Sequence, residues 1–210
     1  MNLNSALKGI DVSRHDGEIN WEEVKKSGID FAIIRAGYGN EKTQKDSCFE
    51  NNYTKAKEVG IPIGVYWYSY ASDASDAFNE ANTCLEIISG KKYEYPIFYD
   101  IEEKNILSKG KSEVSQIAKN FCTTLKNNNY LCGIYASANP LNNLFDDECK
   151  KNFPIWVAHY DVDKPKYNGS WGIWQYTSQG NVNGINGKVD LNHGIINYED
   201  IIKNQHLNGY

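Results

Sequence analysis

Apolar positions along the chain follow two alternating rhythms. Lys8–Val12, Phe31–Arg35, Ile63–Tyr70, Pro96–Glu102 and Leu131–Ala136 are short runs with β character. The stretches between them repeat their apolar residues at helical spacing. Phe31–Arg35 is nearly all apolar, as a strand covered on both faces should be. Asn20 with Glu23 three residues on predicts a capping box, and Gly28 closes that helix. Phe49, Tyr53, Ala56 and Val59 mark a helix over Cys48–Val59, stopped by Gly60 and Pro62. Ala74, Ala77, Phe78, Ala81, Leu85 and Ile88 trace another, ended by Gly90. Val114, Ile117, Ala118, Phe121, Cys122 and Leu125 form the clearest stripe. Asn139-Pro140 supplies an N-cap and first turn for a fifth helix.

The rhythm then changes. Ile155–Tyr160, Trp171–Tyr176 and Lys188–Asn192 predict three strands whose starts are about 17 residues apart, where a βαβ unit takes roughly 30. No full helix fits between them. About five βα units followed by three helix-poor strands give an α/β fold, a closed barrel of modified TIM type. An open doubly wound sheet would ask for a Gly-rich phosphate loop after an early strand, and Gly37-Tyr38-Gly39 is a weak candidate. Residues 1–196 read as one domain, and the polar segment 197–210 as a closing segment or linker.

Composition narrows the chemistry. The 210 residues carry a net charge of -5 and no Lys/Arg cluster, which argues against a nucleic-acid partner. No run approaches the ~20 apolar residues of a membrane span, so membrane insertion is not expected. Met1–Lys8 lacks the apolar core of a secretory leader, so such a signal is absent or already removed, and synthesis in the cytoplasm without a signal peptide is the expectation. Cys48, Cys84, Cys122, Cys132 and Cys149 are an odd number with no CxxC pair, read as free thiols. His15, His159, His193 and His206 show no metal-ligand spacing, and no GxSxG elbow occurs. Neither a metal nor a cofactor is expected.

Barrel enzymes carry their chemistry at the C-terminal ends of strands. Those ends hold Asp11, Arg35, Tyr66 to Tyr70, Asp100 with Glu102, Tyr135, His159, Tyr176 and Asp190. Side chains two apart on a strand share a face, so Asp100 and Glu102 lie together, their Cα atoms about 6–7 Å apart if the strand stays extended. Two acids in a partly dry site repel, and one tends to hold a proton near neutral pH. An acid beside an ionised carboxylate suits glycosidic cleavage. A solvated pair at a strand end is the plainer alternative, weakened by the further carboxylates Asp11 and Asp190. Tyr66, Tyr68 and Tyr70 alternate on the third strand, and Tyr135, Trp156, Trp174 and Tyr176 follow on later ones. Such rings can serve as sugar platforms or as core, with Trp67 and Trp174 leaning to the core.

Several motifs in order resemble the glycoside hydrolase family 25 lysozymes, the muramidases of bacteria and of phage endolysins. They are Gly9-Ile-Asp-Val-Ser13, Ile19-Asn-Trp21, Phe31-Ala-Ile-Ile-Arg35, Gly64-Val-Tyr66, Asp100-Ile-Glu102, Gly133-Ile-Tyr-Ala-Ser137, Ile155-Trp-Val-Ala158, Trp174-Gln-Tyr-Thr-Ser178, Gly184-Ile-Asn-Gly187 and Val189-Asp-Leu-Asn192. The resemblance implies a barrel whose later strands lack helices and hydrolysis of the β-1,4 bond between N-acetylmuramic acid and N-acetylglucosamine in bacterial peptidoglycan. By position it implies Glu102 as general acid, Asp100 as the group that orients the acetamido group or stabilises the oxocarbenium-like centre, and Asp11 and Asp190 as the rest of an acidic floor. Tyr66, Tyr68, Tyr135, Trp156, Tyr176 and Arg35 are the expected substrate-binding residues. Arg14-His15-Asp16-Gly17 departs from the family pattern, in which Gln or Asn more often precedes the Gly. Action on the wall would follow export or phage-mediated release, and a separate wall-binding module could follow Tyr210. A chitinase-like glycosidase and a non-catalytic sugar-binding barrel are the rival readings.

Overall fold

In the computed structural model, which describes residues 6–210, eight strands close into a barrel in chain order. They are β1 (Leu7–Val12), β2 (Phe31–Tyr38), β3 (Ile63–Tyr68), β4 (Ile97–Asp100), β5 (Cys132–Ser137), β6 (Ile155–Ala158), β7 (Ile173–Gly180) and β8 (Val189–Gly194). The helices are α1 (Trp21–Lys26), α2 (Phe49–Glu58), α3 (Ala74–Ile88), α4 (Lys104–Leu107), α5 (Lys111–Asn127), α6 (Ala138–Asn143), α7 (Asp147–Asn152) and α8 (Tyr198–Asn204). Met1–Ser5, part of the segment considered for a leader, lie outside the described residues. Among the described residues no helix is long and apolar enough to cross a membrane.

The helix-poor second half matches the expected barrel, and its connection lengths set the strand directions. Residues 159–172 are a loop long enough to return the chain over the barrel, and β7 runs parallel to β6. The link 181–188 is too short for a crossover, so β8 turns back antiparallel to β7 and pairs antiparallel with β1 to close the barrel.

Strand alternation divides the apolar residues into two cores. Ala32, Ile34, Val65, Trp67 and Tyr99 face outward under the helices, where Tyr99 stacks on Phe121 of α5 at 3.8 Å. Phe31, Ile33, Phe98, Tyr135 and Trp156 fill the barrel interior. Glycines on neighbouring strands make room for those large rings. A Cβ at Gly133 would meet the Phe98 ring at 2.6 Å, and one at Gly9 would meet Phe31 Cζ at 2.2 Å. The base is sealed by the C-terminal segment. Tyr198 and Ile202 of α8 are buried, and Asn208 holds Leu131 N–H and the Tyr95 carbonyl at 2.8 and 2.9 Å.

Three local expectations change. β4 ends at Asp100, although Ile101 N–H still reaches the Tyr135 carbonyl at 3.0 Å, so Glu102 sits just past the strand on a still-tethered backbone. The fifth helix starts at Ala138 behind Ser137, which leaves Asn139 inside its first turn. Asn20 caps α1, its side chain accepting from Glu23 N–H at 3.3 Å, but the expected box is only half formed, because Asn20 N–H goes to the Gly184 carbonyl and the Glu23 carboxylate to Lys26.

The tight interior yields a test. Gly9→Ala should lower stability by about 1–3 kcal/mol through overpacking against Phe31, measured by denaturant unfolding; an unchanged midpoint would show that the Phe31 ring yields freely.

Candidate active site

Inward-facing positions at the upper rim of the barrel change from apolar to acidic. A cavity of about 390 Å³ opens there, lined by Asp11, Asp100, Glu102, Asp190, Tyr66 and Tyr135 among others. A larger hollow of about 790 Å³ lies on the outer face beside α1 and α2, away from this convergence of acids. Among the described residues no group of three His, Cys, Asp or Glu side chains is arranged to hold a metal ion.

Asp11 is the best-held carboxylate. Its Oδ2 accepts from Gln175 Nε2 at 2.9 Å and from Asn192 Nδ2 at 2.7 Å. Trp156 Nε1–H can only donate, and it donates to Asn192 Oδ1 at 2.7 Å, which fixes that amide with its NH₂ toward Asp11. The Tyr135 and Tyr160 hydroxyls donate to Gln175 Oε1 at 2.7 and 2.6 Å and orient the second amide likewise. Asp190 faces Asp11 across the β1–β8 seam. Burial, then Asp190, pushes the Asp11 carboxyl well above the usual carboxylate range, with the Asn192 and Gln175 hydrogen bonds opposing.

Asp100 is 5% exposed and its Oδ1 has no hydrogen-bond partner. Burial raises its pKa strongly, followed by the charges of Glu102 and Asp11, while Arg35 opposes. Glu102 stands at the open rim, yet enough protein surrounds it that desolvation, then Glu103, raises its pKa too. The Tyr68 hydroxyl donates to Glu103 Oε1 at 2.7 Å and lies close enough to Glu102 to moderate that rise. The resulting site has a solvent-facing carboxyl disposed to carry a proton beside a buried carboxyl with a free oxygen, a pairing suited to acid-assisted cleavage of an acetal.

Of the residues singled out from sequence, Asp11, Asp100, Glu102, Asp190, Arg35, Tyr66, Tyr68, Tyr135 and Trp156 all line this one cavity. Three details are corrected. Asp190 is at the start of β8, reaching the rim because that strand runs backwards. Trp156 is 1% exposed beneath the Tyr135 ring, with centroids 4.4 Å apart, so it is floor rather than platform. Tyr176 lies outside the cavity. The β7–β8 register shifts between Gln175 and Thr177, and the Tyr176 ring stacks on His193 at 4.4 Å. Gln175, Asn192 and Tyr160 had no assigned role in the sequence. Gln175 had a readable signal, a polar residue at the parity opposite Trp174 and Tyr176 in a buried strand. Asp16, which departs from the family pattern, accepts from Ser13 N–H at 2.8 Å in a capping box that shapes the β1 exit loop.

A closed βα barrel with carboxyls gathered at its C-terminal mouth has the form of a carboxylate-dependent hydrolase. Comparison with known proteins narrows this class. Residues 10–185 match the glycosyl hydrolases family 25 profile, and the chain belongs to that family. It is 31% identical to the autolytic lysozyme of Clostridium acetobutylicum, the alignment covering 88% of this chain and 55% of that protein. The modular autolysin LytC of Streptococcus pneumoniae, solved with a synthetic peptidoglycan ligand, superposes with a TM-score of 0.80 at 30% identity over 93% of this chain and 48% of that one. The bacterial lysozyme of Streptomyces coelicolor superposes with a TM-score of 0.77 at 28% identity, over 90% and 92% of the two chains. The chain thus spans about half the length of the first two relatives.

The rim acids make stability depend on pH. Burial, then the charge of Asp16, pushes Asp190 from its ordinary 3.8 up to about 6. The native state therefore holds a proton that the unfolded chain releases, and stability falls as pH rises from about 4 to about 6. Asp190→Asn should be more stable than the parent by about 1–2 kcal/mol at neutral pH, the gap closing below pH ~4. Denaturant melts across that range check it; a gap independent of pH would exclude Asp190 titration as the cause.

Proposed function

We propose that the chain hydrolyses the β-1,4 bond between N-acetylmuramic acid and N-acetylglucosamine of bacterial peptidoglycan, with Glu102 as general acid. The observation that carries this reading is the neighbouring pair of unlike carboxyls, Glu102 open to the rim and Asp100 buried with an unpartnered oxygen. Raised by burial and by Glu103, Glu102 is suited to deliver a proton to the leaving glycosidic oxygen. An orphaned buried acceptor gains most from a donor that arrives with the substrate, and the acetamido N–H of an N-acetylated sugar is such a donor. Asp100 would orient that group and face the positive charge that develops at the anomeric carbon. Asp11 and Asp190 complete the negative floor, while Tyr66, Tyr68 and Tyr135 wall the cleft and Arg35 offsets part of its charge.

Family membership and relatives that include an autolytic lysozyme and an autolysin solved with a peptidoglycan ligand support the same substrate class. Action at the cell wall, after export or release by lysis, belongs with this reading, as does a wall-binding module outside these 210 residues.

Digestion of purified walls, borohydride reduction and mass analysis should give fragments ending in reduced muramic acid; glucosamine ends would redirect the assignment to a chitinase-like or glucosaminidase specificity. Glu102→Gln should keep its melting temperature and lose about 10²–10⁴-fold in wall-clearing rate. A rate near that of the parent would remove Glu102 as the acid.

A further inference from the structure

Beside the acidic cleft lies a second cavity of opposite character. It has a volume of about 310 Å³ and is lined by Arg14, His15, Arg35, Tyr38, Tyr68 and Tyr70. His15, Arg35 and Tyr68 border both cavities, so a ligand in one is adjacent to a ligand in the other. The Arg14 and Arg35 guanidinium groups lie 5.7 and 5.9 Å from the centroid of the Tyr38 ring. Tyr70, 55% exposed, packs edge-on against Tyr38 and tilted against Tyr68 to complete the wall.

No carboxylate lines this cavity. Asp46 is the buried carboxylate beside the two arginines, and it is fully engaged. It accepts from Arg35 Nε at 2.7 Å, from Arg14 N–H at 3.1 Å and from Cys48 N–H at 2.9 Å. Asp46 thus pairs with the Arg35 guanidinium alone, and among the described residues the Arg14 guanidinium has no ion-pair partner. Arg35 is 8% exposed, and its Nη2 is buried without a hydrogen-bond partner. A buried guanidinium N–H with no acceptor is costly and is relieved by an incoming acceptor. The planar guanidinium fork matches a carboxylate in particular.

We infer that this cavity is a carboxylate-binding subsite that engages an acidic group carried by the muramyl unit next to the scissile bond, an inference that rests on the peptidoglycan reading above. In an intact wall the lactyl carboxyl is consumed in an amide, so the carboxylates within reach of such a subsite belong to the peptide stem. In strands stripped of peptide the lactyl carboxylate itself becomes free. Arg14 provides the exposed arm of the subsite, Arg35 its buried base and Tyr38 the ring beneath both. Its effect is on substrate affinity and on the choice between acidic and amidated walls, in a chain whose overall charge is -5.

The test compares Arg14→Gln with Lys126→Gln, which removes the same charge from an exposed position at the far end of α5. Substrates are teichoic-acid-free walls, the same walls with carboxyls converted to amides by carbodiimide and ammonia, and glycan strands stripped of peptide by an amidase. On untreated walls Arg14→Gln should raise KM by about five- to tenfold, the scale of one charge-assisted hydrogen bond, with kcat retained. Lys126→Gln should match the parent. On amidated walls the parent should fall to the level of Arg14→Gln. A gap that persists on peptide-stripped strands shows that the subsite also takes the freed lactyl carboxylate, and one that closes confines its ligand to the stem. The subsite is overturned if the two variants lose equally, or if the Arg14→Gln gap survives amidation. A parent that cuts none of these substrates would instead overturn the peptidoglycan assignment.

Discussion

The antiparallel seam between β8 and β1 is the constraint on which the site depends. It closes the barrel, and in closing it brings Asp190 opposite Asp11 and Asn192 under Asp11 Oδ2. Two carboxyls forced together in a desolvated place repel, which is tolerable because rigid donors are aimed at one of them. Those donors are rigid for a chemical reason. An indole N–H and two phenol hydroxyls occupy the amide oxygens of Asn192 and Gln175, leaving only the NH₂ ends for Asp11. A parallel β8 would have carried Asp190 to the opposite end of the barrel.

Beneath this seam the interior is graded. Glycines opposite Phe31 and Phe98 let large rings fill the lower barrel. The next level combines ring and polar tip in Trp156, Tyr135 and Tyr66, and the level above is acidic. The apolar level supports the polar one from below and keeps water from its underside, which is why burial is the first cause of the raised pKa values of Asp11, Asp100 and Glu102 alike.

Two of the buried polar groups left without partners are charged, and both are at this mouth. Asp100 Oδ1 and Arg35 Nη2 are both buried and unpaired, on neighbouring parts of one site, and their charges are opposite. Nearby polar groups away from substrate are satisfied: Glu80 of α3, itself buried, accepts from the Tyr99 hydroxyl and from Tyr70 N–H and so holds the loop that carries Tyr70. Burial pushes Glu80 up to about 7, despite those hydrogen bonds. The contrast between a satisfied support and an unsatisfied mouth is what a binding site prepared for polar substrate groups looks like.

Much of this was legible in the sequence because it depends on local periodicity. The five βα units and the helix-poor strands after them followed from spacing alone: helical stripes, near-continuous apolar strands and late strands too close for helices. Period-two alternation put Asp100 beside Glu102, and both line the cavity. Tertiary structure decided what periodicity does not encode. The direction of β8 followed from an eight-residue link, 181–188, and it moved Asp190 from a strand end to a strand start. Tyr176 shares the outer parity of Trp174, opposite inward-facing Gln175, and the tertiary structure decided which of those two faces looks into the cleft. The amide network around Asp11 joins opposite ends of the chain, Asp11 with Asn192, and the cationic cavity beside it joins Arg14 after β1 to Tyr70 after β3. Contacts so distant in sequence leave no local pattern: the first needs closure of the barrel, and the second needs β1, β2 and β3 set side by side.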